Sequence, residues 1–220
     1  MQELFDAIKS GDGARVGALL DADPSAVDAQ DERGLLPLAV AAYHRQDHIV
    51  RLLEERGAQL DIFAAAILGR TGRVNELATG NRSLARAYSQ DGWTALHLAA
   101  FFGRQDAAAA LLAKGAEVRA RSTNPLRNTP LHAAAAGRHT ELARLLIDHG
   151  ADVNARQHGG WTALHAAAQS GESRLAQLLI DNGADVAMRA DNNQSALDLA
   201  LTKGHQQLVD LLERSGASLS

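Results

Sequence analysis

A seven-residue phrase returns along the chain at nearly constant spacing, and this recurrence constrains the fold more than any other feature. It reads Thr94-Ala95-Leu96-His97-Leu98-Ala99-Ala100, Thr129-Pro130-Leu131-His132-Ala133-Ala134-Ala135 and Thr162-Ala163-Leu164-His165-Ala166-Ala167-Ala168, with Ser195-Ala196-Leu197-Asp198-Leu199-Ala200 as a degenerate copy. Successive copies begin 35, 33 and 33 residues apart. Self-similarity at such a period marks a repeat architecture and overrides any domain count made from length. Inside a copy, Leu96, Ala99 and Ala100 fall at i, i+3 and i+4, one face of a helix. Gly103 offers a break, and an apolar pair follows in each unit, as at Leu111-Leu112, Leu146-Ile147 and Leu179-Ile180. Each unit therefore predicts two helices too short to stand alone, which must bury their stripes against each other and the next unit in a quasi-one-dimensional stack. The 44 Ala and 32 Leu, against eight aromatics in 220 residues, supply that apolar area from helix-favouring side chains.

Gly-Ala at 115, 150, 183 and 216 closes the later units, and phrase, spacing and closure together resemble the ankyrin repeat, with its period near 33 and its Thr-Pro-Leu-His-x-Ala signature. Aligning on Ala7, Ala41, Ala65, Ala99, Ala134, Ala167 and Ala200 extends the resemblance to seven units. It implies one all-α solenoid domain over 1–220, with units near 1–30, 31–58, 59–88, 89–121, 122–156, 157–189 and 190–220. Each would be an antiparallel helix pair with a short β-hairpin loop leading to the next. It further implies that Thr94 with His97, Thr129 with His132, and Thr162 with His165 hydrogen-bond turns within and between repeats. The function implied is non-enzymatic protein–protein interaction through the concave groove and hairpin tips.

Departures from the pattern carry their own expectations. Only 24 residues separate Ala41 from Ala65, so Gly57-Ala58-Gln59-Leu60-Asp61 leaves no length for a hairpin, and the third unit is expected to open a notch. Phe63 and Phe5 occupy signature histidine positions there and in the first unit, and read as core. Arg45 and Arg138 stand where other units carry the inter-helix Gly, a position that costs about 1 kcal/mol if φ is positive.

Several kinds of chemistry are excluded or unsupported. With no Cys, disulfides, Cys-ligated zinc and thiol catalysis are ruled out. A formal charge of −4 and a pI near 6.1 argue against a general nucleic-acid binder. No nucleophile elbow, Walker-type loop or dinucleotide fingerprint is present. His44 and His48 are i, i+4, but the turn expected at Arg45-Gln46 puts them on different helices. Asp152 and Asp185 read as hairpin-start hydrogen-bonders, and Asp198 as a cap in place of the signature His. No catalytic residue, metal or cofactor is expected. The amino terminus lacks a basic and apolar leader pattern and no segment approaches 18 apolar residues, so the expectation is a cytoplasmic protein, monomeric alone, that binds neither membrane nor nucleic acid.

What remains are side chains the stack does not require. Trp93 and Trp161 precede signature threonines, Phe101 and Phe102 follow Ala99-Ala100, Tyr43 follows Ala41-Ala42, and Tyr88 lies on a hairpin strand. Rings give large contact area at small entropy cost. Tyr43-His44, Ile67-Leu68 and Phe101-Phe102 are expected as adjoining rungs of an exposed apolar strip, with Trp93 beside the last. Arg121, Arg156 and Arg189 share one hairpin position, with Arg119 and Arg127 near the first, and suggest a positive edge for an acidic peptide segment. The competing reading is neutralisation by Glu117, Asp152 and Asp185. Two other functions stay open: a small-ligand or enzymatic pocket at the notch, engaged by His44 or Arg70, and homodimerisation through the apolar strip.

Overall fold

The computed structural model describes residues 1–32 and 34–217. Among them fourteen α-helices follow one another in pairs: α1 (Gln2–Ser10) with α2 (Gly13–Ala22), α3 (Pro37–Tyr43) with α4 (Asp47–Glu55), α5 (Ile62–Leu68) with α6 (Thr71–Gly80), α7 (Ala95–Phe101) with α8 (Gln105–Ala113), α9 (Pro130–Ala136) with α10 (Thr140–Asp148), α11 (Ala163–Ser170) with α12 (Ser173–Asp181), and α13 (Ala196–Lys203) with α14 (Gln206–Arg214). The last three residues of the seventh expected unit lie outside the described residues. The helices run from seven to ten residues, below the roughly 12–15 at which an isolated helix becomes marginally stable. Packing must hold them.

It does so in two layers. First helices of each pair line up in one row and second helices in another, around a single apolar core that runs from Leu4 to Leu212. First helices approach their neighbours more closely than second helices do, so the stack curves with the first helices on the inside. The cause is legible in the side chains: Ala99, Ala100, Ala133, Ala134, Ala135, Ala167 and Ala168 are all fully buried, and methyl groups let helix axes come close.

From the fourth unit onward the loops form a continuous wall. Each turns back on itself through a backbone bond: Ser89 N–H to Trp93 O at 2.8 Å, Ser122 to Asn128 at 2.8 Å, Gln157 to Trp161 at 2.8 Å and Ala190 to Gln194 at 2.9 Å. Neighbouring loops are then joined, Thr123 N–H to Gly92 O at 2.9 Å, His158 to Leu126 at 2.8 Å and Asp191 to Gly159 at 2.8 Å. Strand pairing among the described residues is confined to single bridges at Tyr88–Thr94 and Arg189–Ser195. Gly92 has to be glycine: φ is +81°, and a β-carbon would sit 2.6 Å from the Asn124 nitrogen.

The third unit departs from this wall. Residues 56–61 alone join α4 to α5, whereas 81–94 join α6 to α7. The short link is pinned by the Gln59 N–H donating to Asp28 at 2.8 Å and by Arg73 Nε donating to Leu60 O at 3.2 Å. The expected open notch is corrected, because the flanking loops lean across the gap. Gly34 packs so close to the Gln90 side chain that a β-carbon would overlap it, and Tyr43 Oη donates to Asp91 at 3.1 Å. Phe5 is core at 1% exposed, but Phe63 is half-buried and lines the space left under the gap. Arg45 and Arg138 adopt positive φ, 55° and 63°, and Arg127 and Asn193 do so as well.

Candidate functional site

The signature threonines and histidines form locks between units. Each Thr N-caps the first helix of its unit, and the His three residues on accepts the Thr N–H at Nδ1. The Thr hydroxyl lies 2.7 Å from Nδ1 at Thr94–His97 and 2.8 Å at Thr129–His132 and Thr162–His165. The other ring nitrogen reaches the next unit: His97 Nε2 to Asn128 O at 3.0 Å, His132 to Trp161 O at 3.2 Å and His165 to Gln194 O at 3.1 Å. With Nδ1 accepting and Nε2 facing a carbonyl, a neutral imidazole protonated at Nε2 satisfies both ends. Burial reinforces this, pushing His97 and His132 down to about 4 and lowering His165. In the last unit Asp198 replaces the ring, accepting the Ser195 N–H at 2.9 Å and hydroxyl at 2.8 Å. These hydrogen bonds and Arg189, 3.1 Å away, hold its carboxyl below the usual range.

The arginine edge is laced into the fold. Arg121 Nη1 donates to Arg156 O at 2.7 Å, Arg156 Nη1 to Arg189 O at 3.1 Å, and Arg189 Nη1 to Asn193 O at 2.6 Å. The acids that meet it are Asp191 on Arg156 at 3.0 Å and Asp198 on Arg189. This corrects the expected acidic neighbours: Glu117 pairs with Arg86, while Asp152 and Asp185 accept backbone N–H groups of Asn154 and Ala187.

Two further inter-unit ladders escaped sequence reasoning. Arg104 Nε donates to Ile67 O at 2.8 Å, while His139 and His205 place Nε2 on Phe101 O at 3.0 Å and Gln169 O at 3.3 Å. All three stand one place after the inter-helix turn residue, a register signal that could have revealed them. Gly137 answers the same geometry, since a β-carbon there would sit 2.3 Å from Phe101 O. At the opposite edge Arg86, Arg119 and Asn154 reach the carbonyls of Gly115, Gly150 and Gly183 at 2.9, 2.7 and 2.9 Å.

The aromatic candidates come together as a chain of rings. Tyr43 meets Phe102 edge to face at 5.3 Å, Phe102 meets Phe101 at 5.2 Å, and Phe101 meets Trp93 at 5.7 Å. All four are half-buried, and Tyr88 beside them is 43% exposed. The chain links unit two to unit four across the third. Ile67 is 1% exposed, within the common core, which corrects its expected place on the open strip, while Leu68 remains half-buried. Trp161 stands apart, tilted over His165 at 5.7 Å and bordering an open hollow with Arg138, Gln169 and Lys203. His44 is exposed at the end of α3, and His48 belongs to α4 with Nε2 3.1 Å from Gly11 O, so the two rings sit on separate helices. Arg70 is paired with Glu54 at 2.9 Å.

Under the bridged gap lies a cavity of about 190 Å³, lined by Tyr43, Asp61, Phe63, Ile67, Ser89 and Asp91 among others. Asp61 caps α5, accepting the Ala64 N–H at 2.7 Å, and burial raises its carboxyl above the ordinary range. Asp91 accepts from Tyr43 and from the Ser89 hydroxyl.

A curved stack of helix pairs, tied at each later junction by Thr-His locks and presenting rings on its inner side, defines a helical repeat solenoid. A family model described as ankyrin repeats in three copies matches residues 4–122, 62–157, 118–190 and 150–220, so the chain belongs to the ankyrin-repeat family. It is also similar to rat ankyrin repeat and SAM domain-containing protein 6, 40% identical over 122 residues, which is 56% of this chain and 11% of that protein. The chain thus corresponds to a small part of that relative's length. Among the described residues no helix is long and apolar enough to cross a membrane.

Proposed function

We propose that the protein binds a polypeptide partner along its inner face, with the ring chain Tyr43–Phe102–Phe101–Trp93 as anchor and Tyr88 and Trp161 extending the surface. Ankyrin repeats are generally protein–protein interaction modules, and members of the family are typically non-enzymatic. The single observation that carries the proposal is the contiguity of four half-buried rings from the second and fourth units on the inside of the curve. Such rings gain area on docking while losing little freedom, and a rigid stack adds no ordering penalty. An acidic segment along Arg121, Arg156 and Arg189 is the weaker part of the reading, since those guanidiniums already hold backbone carbonyls. A metabolite pocket at the gap has less support, because about 190 Å³ falls below the roughly 300–1,000 Å³ of small-molecule sites.

The test is capture from native lysate by the wild type, by Trp93→Ala/Phe101→Ala/Trp161→Ala, and by an outer-face control, Arg144→Ala/Gln177→Ala, with circular dichroism confirming that all three are folded. The inner-face variant should lose partners more than about tenfold while the control retains them. Equal recovery by all three overturns the proposal.

A further inference from the structure

We propose that the cavity beneath the third unit's missing loop receives one basic side chain, a lysine or arginine, from the polypeptide that occupies the inner face; the proposal rests on that face being a polypeptide-binding surface. The cavity exists because the link at 56–61 is short while the loops on either side bridge over it. Its roof is Gly34 against Gln90 and Tyr43 against Asp91, and its floor is the start of α5. At about 190 Å³ it has room for a side chain rather than a cofactor.

Its chemistry selects the sign of the occupant. Among the described residues lining it are two carboxylates, Asp61 from the start of α5 and Asp91 from the following loop, and no Lys, Arg or His. Tyr43, Phe63 and Tyr88 line the same space, so that a cation there would meet carboxylates and aromatic walls together. Burial already raises the Asp61 carboxyl, the direction expected of an anion removed from water, against the lowering effect of its hydrogen bonds from the Ala64 and Phe63 backbone. A cation would restore what burial removed. Access follows from continuity: Tyr43, Leu35 and Asp91 also line an adjoining hollow of about 370 Å³ with Lys9, Asp31, Val40 and His44, beside the ring chain. A backbone lying along the rings therefore passes the cavity mouth.

The experiment uses the full chain, labelled with nitrogen-15, and four capped tripeptides, Gly-Lys-Gly, Gly-Arg-Gly, Gly-Glu-Gly and Gly-Leu-Gly, titrated by amide chemical shift. The Lys or Arg peptide should shift the amides of residues 61–64 and 88–91 saturably, and the Glu and Leu peptides should not. Asp61→Asn is the decisive variant because Asn caps a helix as well as Asp does, so α5 keeps its N-cap and only the charge is removed. It should weaken the Lys or Arg peptide about tenfold. Shifts equal for all four peptides, no shift at 61–64 and 88–91, or undiminished binding by Asp61→Asn each overturn the cation site. Failure of the underlying reading looks different: the inner-face triple variant would capture partners as well as the wild type, whatever the tripeptides do.

Discussion

Between Trp93 and Gln194 each junction carries a Thr-His lock reaching into the next loop together with a backbone bond from loop to loop, whereas neither device forms within residues 1–88 among the described residues. The early units rely instead on larger apolar side chains, Phe5, Ile8, Ile49 and Leu53, all at or below 1% exposed, and on isolated polar reaches such as His48 to Gly11 O and Gln59 to Asp28. The difference teaches where freedom lies. Where backbone carbonyls are claimed by a buried imidazole, the loop wall is regular and its arginines are spent on it. Where the locks are missing, one loop has been deleted, and the ring chain and cavity occupy that place.

The largest contrast should appear in acid. His97 and His132 are held neutral by burial, with pKa values near 4 against 6.5 in the unfolded chain. Between those values the unfolded state binds more protons, so their contribution is complete above pH 6.5 and declines as pH falls toward 4, by about 3 kcal/mol for each at most. Asp198, shifted down, contributes above its unfolded value of 3.8 and loses that only as pH falls below it. Both tryptophans lie in the locked half, so denaturant midpoints followed by tryptophan fluorescence at pH 7 and pH 4.5 report on it. A midpoint unchanged between the two breaks the contrast.

Next in size is His132→Ala, which strands the Thr129 N–H and the Trp161 carbonyl and opens a void. About 2–3 kcal/mol should be lost in equilibrium unfolding, and an unaltered midpoint would mean that the lock is ornamental. Tyr43→Phe keeps the ring on Phe102 but removes the bond to Asp91. About 1 kcal/mol is expected, with faster amide exchange at residues 88–94 and little change at 157–161; uniform exchange would show that Tyr43 does not bridge the gap. The smallest effect is a gain. Arg138→Gly relieves a φ of 63° at the cost only of an ion pair at 3.9 Å to Glu172, with Arg 60% exposed, so thermal melting should rise by the equivalent of about 0.5–1 kcal/mol.

The helices, their pairing and the lock residues were legible because each rests on local rules. A Thr three places before His declares a cap, and Leu96, Ala99 and Ala100 declare a buried face whatever their neighbours are. Ile67 was misplaced because its burial is decided by packing against neighbouring units, which the letters of its own unit do not display. The acids that meet the arginine edge were misassigned for a related reason. Composition offers Glu117, Asp152 and Asp185, but the register of successive loops puts Asp191, Asp198 and the next loop's carbonyls within reach instead. Arg104, His139 and His205 were overlooked although their shared register was present in the letters.

The amino-acid sequence by itself determined that this chain is a tandem array of short helix pairs, since period, caps and apolar faces are properties of each unit alone, and it marked the third link as too short for a loop. Only the tertiary structure decided what that deletion became. Whether a gap stays open depends on the reach of side chains from units two and four, and it is the superhelical stacking of α3, α5 and α7 that brings Tyr43 to Asp91 and Phe102 and encloses a cavity with Asp61 at its floor.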